Sequence, residues 1–165
     1  MTKLPPSAVQ AISRMPALLR YWRWRHGLSG ALPGLALAAL GLVQSLAWAA
    51  ALGLTLAAAG FALGWRYAGQ RFAHYRAELH ESEGVVLYSG VWWRSEVWVP
   101  TARLQHLDVS QGPLDRRWGM ASLSLHTAGS HDHQVSVHGL PLAEAHALRE
   151  HLLPRQAPEL EHEHE

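Results

Sequence analysis

The stretch from Gly27 to Trp65 runs for 39 residues without an Asp, Glu, Lys or Arg. A hydrocarbon core about 30 Å thick takes roughly 20 helical residues to cross. One straight helix over the whole stretch would run about 59 Å at about 1.5 Å per residue, too long for one crossing. Two crossings fit, with a turn at Gln44-Ser45, the most polar pair in the run. The sequence therefore predicts one helix over residues 28–43 and a second over residues 46–67. A soluble helical hairpin inside a larger core is the competing reading, but a chain of 165 residues offers little core in which to hide so long an uncharged run. A cleaved signal peptide is not expected, because the apolar run starts late, is too long and lacks a small-residue cleavage site.

Charge gives the orientation. Residues 1–76 carry eight bases (Lys3, Arg14, Arg20, Arg23, Arg25, Arg66, Arg71 and Arg76) and no acid, whereas residues 77–165 carry six bases and thirteen acids. The bases flank the uncharged run on both sides. Positive flanks stay in the cytoplasm, so both termini are expected there, in a multi-pass protein of the bacterial inner membrane. RYWRWR, residues 20–25, then reads as an interfacial anchor: Tyr21, Trp22 and Trp24 at headgroup level, with Arg20, Arg23 and Arg25 toward anionic lipid. Trp65, Arg66, Tyr67 and Arg71 mirror them where the second helix leaves the membrane. Arg interleaved with aromatics also suits nucleic acid, but the acidic balance of residues 77–165 argues against a phosphate backbone as partner. Membrane lipid is the expected partner.

Small residues recur along both helices: Gly34, Ala38 and Gly41, then Gly53, Ala57, Gly60 and Gly64. Gly53 with Ala57, and Gly60 with Gly64, have the spacing that lets helix backbones approach in a membrane. No acid, base or histidine lies within the span, so ion or proton transport through it is not expected. Before it, residues 7–20 place Val9, Ile12, Met15, Leu18 and Leu19 at spacings that allow a short amphipathic helix broken at Pro16; a disordered lead-in fits equally.

After Arg71 the pattern alternates. GVVLYSGVWWRSEVWVP reads as two strands joined at Ser89-Gly90, with Val91, Trp93, Ser95, Val97 and Val99 on the core side and Trp92, Arg94, Glu96 and Trp98 on the other. Residues 103–109 form a strand whose Leu104 and Leu107 are oddly spaced, as at a bulge. Ala121, Leu123 and Leu125 alternate with Ser122, Ser124 and His126, and a turn at AGSHDH leads to Val135 and Val137. A helix comes next, with Pro141 at its first position and Leu142, Ala145, Leu148 and Leu152 on one face, ended by Pro154. Strands followed by one helix argue for a small curved sheet or barrel with the helix over an open end, the layout of a pleckstrin-homology-like (PH-like) fold. The expected class is thus an α+β membrane protein. It has a basic lead-in at 1–26, a transmembrane hairpin at 27–69, a PH-like cytoplasmic domain at 70–154 and a disordered tail at 155–165. The tether between hairpin and domain is short, which fixes the domain near the lipid.

Residues 99–130, VPTARLQHLDVSQGPLDRRWGMASLSLHTAGS, resemble the bacterial PH domain family of YdbS-like membrane proteins. The resemblance rests on Val99-Pro100, Arg103-Leu104-Gln105, Val109, Gln111-Gly112-Pro113-Leu114, Arg116 or Arg117, Gly119 and Thr127-Ala128-Gly129, and extends over roughly residues 20–153. It implies two membrane helices followed by a cytoplasmic PH-like domain, and no reaction. Read on their own chemistry, Gly112-Pro113 is a turn, Leu114 plugs the core, Gly119 restarts a strand and Gly129 takes a positive-φ position.

Chemistry is constrained by absences. With no cysteine, disulfides, thiolate catalysis and cysteine-ligated metal are excluded. No phosphate loop, nucleophile elbow or zincin motif occurs. His131, His133 and His138 with Asp132 offer imidazoles at a turn, but spacing alone does not make a zinc site, and Glu78, Glu81 and Glu83 read as a solvated cluster. No enzyme activity, metal or cofactor is expected. The expected function is a non-enzymatic module at the cytoplasmic membrane face, assembling with itself or with another PH-like membrane protein. Trp92 and Trp98 are candidate partner-contact residues, while Arg116, Arg117 and Trp118 are candidates for headgroups or a partner. The alternative is a lipid- or amphiphile-binding module of envelope defence.

Overall fold

The computed structural model describes residues 9–80, 83–127 and 134–153. In chain order these form β1 (Val9–Ile12), α1 (Pro16–Val43), α2 (Ala47–His74), β2 (Arg76–His80), β3 (Gly84–Ser89) and β4 (Ser95–Pro100). A short 3-10 turn (Thr101–Arg103) leads to β5 (Leu104–Ser110), α3 (Pro113–Trp118), β6 (Met120–Thr127), β7 (Gln134–Pro141) and α4 (Leu142–Leu152). The chain divides into two compact units. One comprises Arg14–Ala77 and Leu87–Glu96; the other comprises Met1–Ser13, Glu78–Val86 and Val97–Glu165.

In the first unit α1 and α2 form an antiparallel hairpin turning at Gln44 and Ser45, with Ser45 at φ 57. Each helix has 28 residues, about 42 Å at about 1.5 Å per residue. That exceeds a hydrocarbon core of about 30 Å. The turn lies near the middle of the uncharged run and closes one end of the hairpin, so the excess lies at the opposite end as a paired stem, residues 16–26 beside 66–74. Two expectations are corrected. The helices extend well past 28 and 67, and the stretch before Pro16 forms strand β1, not an amphipathic helix. The helix starts at Pro16 because proline suits a first turn, where its missing N–H costs nothing.

The seam is lined by small residues. Gly27, Ala31, Gly34, Ala38 and Gly41 of α1 are buried, as are Ala50, Gly53, Ala57 and Ala68 of α2. The alternating steps of four and three keep one narrow face toward the partner helix. A β-carbon on Gly34 would strike the backbone of Ala57, and one on Gly53 the backbone of Ala38; Gly30 and Gly60 would each strike the other's carbonyl oxygen. The small-residue spacing is thus borne out as a backbone contact, and Gly30 joins it. The leucines lie on the outside: Leu28, Leu32, Leu40, Leu42, Leu54 and Leu63 are all exposed. A hairpin in a soluble core would bury its leucines, so this arrangement fits lipid as the surrounding medium.

The second unit is built the opposite way. Its β5, β6 and β7 form an antiparallel sheet in that order; β1 to β4 form a four-stranded sheet in sequence order, of which Arg76, Ala77, Leu87–Ser89, Ser95 and Glu96 belong to the first unit. The two sheets remain separate instead of closing into one barrel. Its largest fully buried side chains are Met120, Leu123, Leu125, Leu140, Val85, Val86 and Val137. Ala145, Leu148 and Leu152 bury one face of α4, as the spacing predicts. Pro141 ends β7 and caps α4 from outside, one position earlier than expected. The expected irregularity in β5 falls between Leu104 and His106. Gly84, at φ 139, faces the Val99 carbonyl so closely that no side chain fits there.

Several local expectations differ. Residues 90–94 form a loop, not a strand, so Trp93 does not face the core, and Ser95 is exposed. Gly90 at φ 101 breaks the alternation, because its extended neighbours cannot follow that backbone. The Gly112-Pro113 turn opens a helix: Gly112 donates its N–H to the Asp115 carboxylate at 3.0 Å, and Pro113 takes the first helical turn. Leu114 is 47% exposed and so plugs no core. Gly119, at φ 66, ends this helix in the left-handed conformation before β6 begins. Pro154, Ala128, Gly129, the His131-Asp132-His133 turn, Glu81 and the tail lie outside the described residues.

Candidate functional site at the helix stem and the β3–β4 loop

The RYWRWR stretch lies on the stem of α1, and the helix splits it into inward and outward faces. Trp22 is 3% exposed. Its ring meets Tyr75 edge-on at 5.3 Å and Phe72 at 6.4 Å, and the Arg71 guanidinium lies over it at 4.4 Å. Trp22 therefore pins the stem from inside instead of facing outward. The reason is geometric: the stem is paired, and position 22 faces the other helix. Each edge-on aromatic pair adds about 0.5–1.5 kcal/mol beyond area burial, and a cation over a ring about 0.5–2 kcal/mol.

Trp24, by contrast, is 54% exposed. It packs edge-on to Trp65 at 5.6 Å and to Phe61 at 6.1 Å, and Arg23 lies over Trp65 at 5.4 Å. Arg25 lies over the half-buried Tyr21 at 5.9 Å. Tyr67 packs edge-on to His26 at 5.3 Å, and Arg71 reaches the His26 ring at 3.2 Å. Arg20 and Arg66 are exposed. The structure thus draws Trp22 and Arg71 inward. It leaves Arg20, Trp24, Arg25 and Arg66 on the outside, with Tyr21, Arg23, Trp65 and Tyr67 between.

The end of α2 is sealed by the chain's own cation. Arg14 donates to the carbonyls of Phe72 and Tyr75, and its guanidinium lies 4.5 Å over the Phe72 ring. The last carbonyls of a helix lack intrahelical partners and carry its negative dipole end, so a guanidinium satisfies both needs. One residue, Tyr75, separates α2 from β2.

Beside this helix end the same unit holds a groove of about 400 Å³. Ala73 and His74 come from the end of α2, Arg76 from β2, Tyr88 and Ser89 from the end of β3, Gly90 and Arg94 from the loop after it, and Ser95 and Glu96 from the start of β4. Arg76 stacks over Tyr88 at 4.2 Å. His74 donates its Nδ1–H to the Gln70 carbonyl at 2.8 Å. Sequence reading missed the groove because its lining comes from two separate segments, residues 73–76 and 88–96. The available signal was Arg76 and Arg94, bases in a part of the chain otherwise turning acidic.

The intervening loop carries Trp92 and Trp93, 79% and 87% exposed. Sequence reading singled out Trp92 and placed Trp93 inside; both are outside. In the other unit Trp98 is 44% exposed, with its ring 5.2 Å from that of His80. There α3 leaves Arg116 and Arg117 exposed and Trp118 half-buried. A polar group that sequence reading also missed lies on the β5–β6 face, where His106 donates to Asp108 at 2.7 Å and the His126 Nε2 lies 3.3 Å from the same carboxylate. The pairing of His106 with His126 across the strands brings it together.

Comparison with known proteins matches this outline. The model of a family described as "Bacterial PH domain" matches residues 31–156. A protein of Bacillus subtilis (strain 168), UPF0699 transmembrane protein YdbS, is 37% identical over 79 residues. That alignment covers 46% of this chain and 45% of the relative's own length. No solved structure matches the chain.

Proposed function

Because the chain belongs to the bacterial PH domain family and is a transmembrane protein, we propose that it presents a PH-like interaction module on the cytoplasmic face of the bacterial inner membrane. The hairpin crosses twice with both termini inside, which accords with bases flanking the uncharged run. The module carries out no reaction; it assembles with a second copy or with another PH-like membrane protein. The observation that carries this reading is the pair Trp92 and Trp93, both more than three-quarters exposed on a five-residue loop next to Arg94. Large aromatics and arginine are the residues that anchor protein interfaces, and two adjacent exposed tryptophans are costly to leave bare. A short helix-to-strand junction, Tyr75 alone, holds the start of the domain near the bilayer, and such tethering raises the effective concentration for a membrane-bound partner.

A photo-crosslinking residue at position 93, activated in native membranes, tests the proposal. The expected product is an adduct at twice the chain's mass of 18.2 kDa, or one with a second bacterial PH domain protein. Recovery of the uncrosslinked chain alone would contradict assembly through this loop.

A second reading, binding of lipid or amphiphile through α3, rests on Arg116 and Arg117 standing exposed on one turn beside Trp118. Arg116→Glu with Arg117→Glu should then abolish added binding of the intact protein to anionic amphiphiles. Unchanged binding rejects those residues.

A further inference from the structure

We infer that the groove beside the end of α2 is a binding site for a phosphate ester that also carries an ammonium group on a short arm. This goes beyond assembly through the tryptophan loop: the groove shares Gly90 and Arg94 with that loop, but neither Trp92 nor Trp93 lines it. The groove, about 400 Å³, is larger than a bare phosphate needs. Its charged lining is unequal: Arg76 and Arg94 are set against Glu96. Two guanidinium groups present planar sets of donors that match phosphate oxygens. Stacking on Tyr88 at 4.2 Å holds the Arg76 plane in place before any ligand arrives, which lowers the ordering cost of binding. Tyr88, Ser89 and Ser95 line the same groove and are hydroxyl-bearing residues, a source of neutral donors.

Two features would ordinarily repel an anion here, and each has a structural answer. The C-terminal end of a helix carries partial negative charge. On α2 that end is covered by Arg14, which takes up the Phe72 and Tyr75 carbonyls. Glu96 is an acid in the lining of an otherwise cationic groove. It is explained when the ligand brings its own cation: the carboxylate takes the ammonium while the arginines take the phosphate.

The position suits such a ligand. His74 lies nine residues beyond Trp65, the last residue of the uncharged run, or about 14 Å along the helix. Headgroups occupy roughly 5–8 Å on each side of the hydrocarbon, and a helix tilt of about 20° shortens the rise. The groove therefore stands about 5 Å beyond the headgroup layer on its aqueous side, open to soluble ligands and to a lipid headgroup raised toward it. An ethanolamine phospholipid and soluble phosphoethanolamine share the required chemistry there.

The test uses the full chain in detergent micelles, titrated separately with short-chain phosphatidylethanolamine, short-chain phosphatidylglycerol, phosphoethanolamine and inorganic phosphate. Saturable binding of either ethanolamine ligand, tighter than of phosphatidylglycerol or inorganic phosphate, is expected; the tighter of the two identifies the source as lipid or solute. Arg94→Gln should weaken that binding roughly tenfold or more, because a charge-assisted bond is lost. Glu96→Gln should erase the preference over phosphatidylglycerol while keeping phosphate binding. Circular dichroism of both variants should match the parent, and Arg94 and Glu96 are both exposed, so neither change threatens the fold. No saturable binding, equal binding of all four ligands, or binding unaltered by Arg94→Gln would overturn the assignment.

Discussion

The two halves of this chain obey opposite size rules. Over the uncharged run of the hairpin the interior is glycine and alanine and the surface is leucine; in the β-rich unit the interior is Met120, Leu123, Leu125 and Leu140, with Ser122, His126 and His138 on the other face of their strands. The reversal comes from the medium. Lipid gives helices no hydrophobic reason to associate, so they gain only by close packing, which needs small residues. Water drives large apolar side chains inward, at about 25 cal/mol per Å² removed. Side-chain size at the interior therefore reports the solvent more directly than hydropathy alone.

The comparison can be broken at either side. The largest effect is expected for Leu125→Ala, which empties a fully buried site in the water-facing unit and should cost about 2–5 kcal/mol in chemical unfolding. In the hairpin the damaging change runs the other way. Gly60→Leu would drive a side chain into the Gly30 carbonyl and should cost about 1–3 kcal/mol or separate the helices, read as lost thermal stability in micelles. Arg71→Gln removes the cation over buried Trp22 and should cost about 0.5–2 kcal/mol by the same assay. Leu54→Ala removes as many atoms as Leu125→Ala but from a face turned to lipid; a shift within about 0.5 kcal/mol is expected. If Leu54→Ala proved as costly as Leu125→Ala, that face would be packed against protein and the contrast would fail.

Much of the architecture was legible because single residues carried it. The uncharged run and the polar pair Gln44-Ser45 fixed two helices and their turn, and alternation around Leu123 and Leu125 fixed β6. Other features were not legible for identifiable reasons. Val91-Trp92-Trp93 has ideal strand composition, and only the backbone angle at Gly90 makes it a loop. Asp115-Arg116-Arg117-Trp118 lacks the apolar period that marks a helix, since α3 buries no residue of its own. Trp22 and Trp24 look alike in sequence, and only the start of α1 at Pro16 puts them on different faces of a paired stem, one buried and one exposed. Of the candidate site, the exposed Arg116 and Arg117 and the aromatic–cationic stem were readable; the groove was not, because it assembles from two separate segments.

A hairpin that crosses the bilayer twice and returns underlies every functional reading of this chain. Its most direct test is a pair of topology reporters, one fused before Arg14 and one after Leu152, in the same bacterial host. Cytoplasmic signal from both positions is the expected result. Signal from opposite sides of the membrane would contradict it.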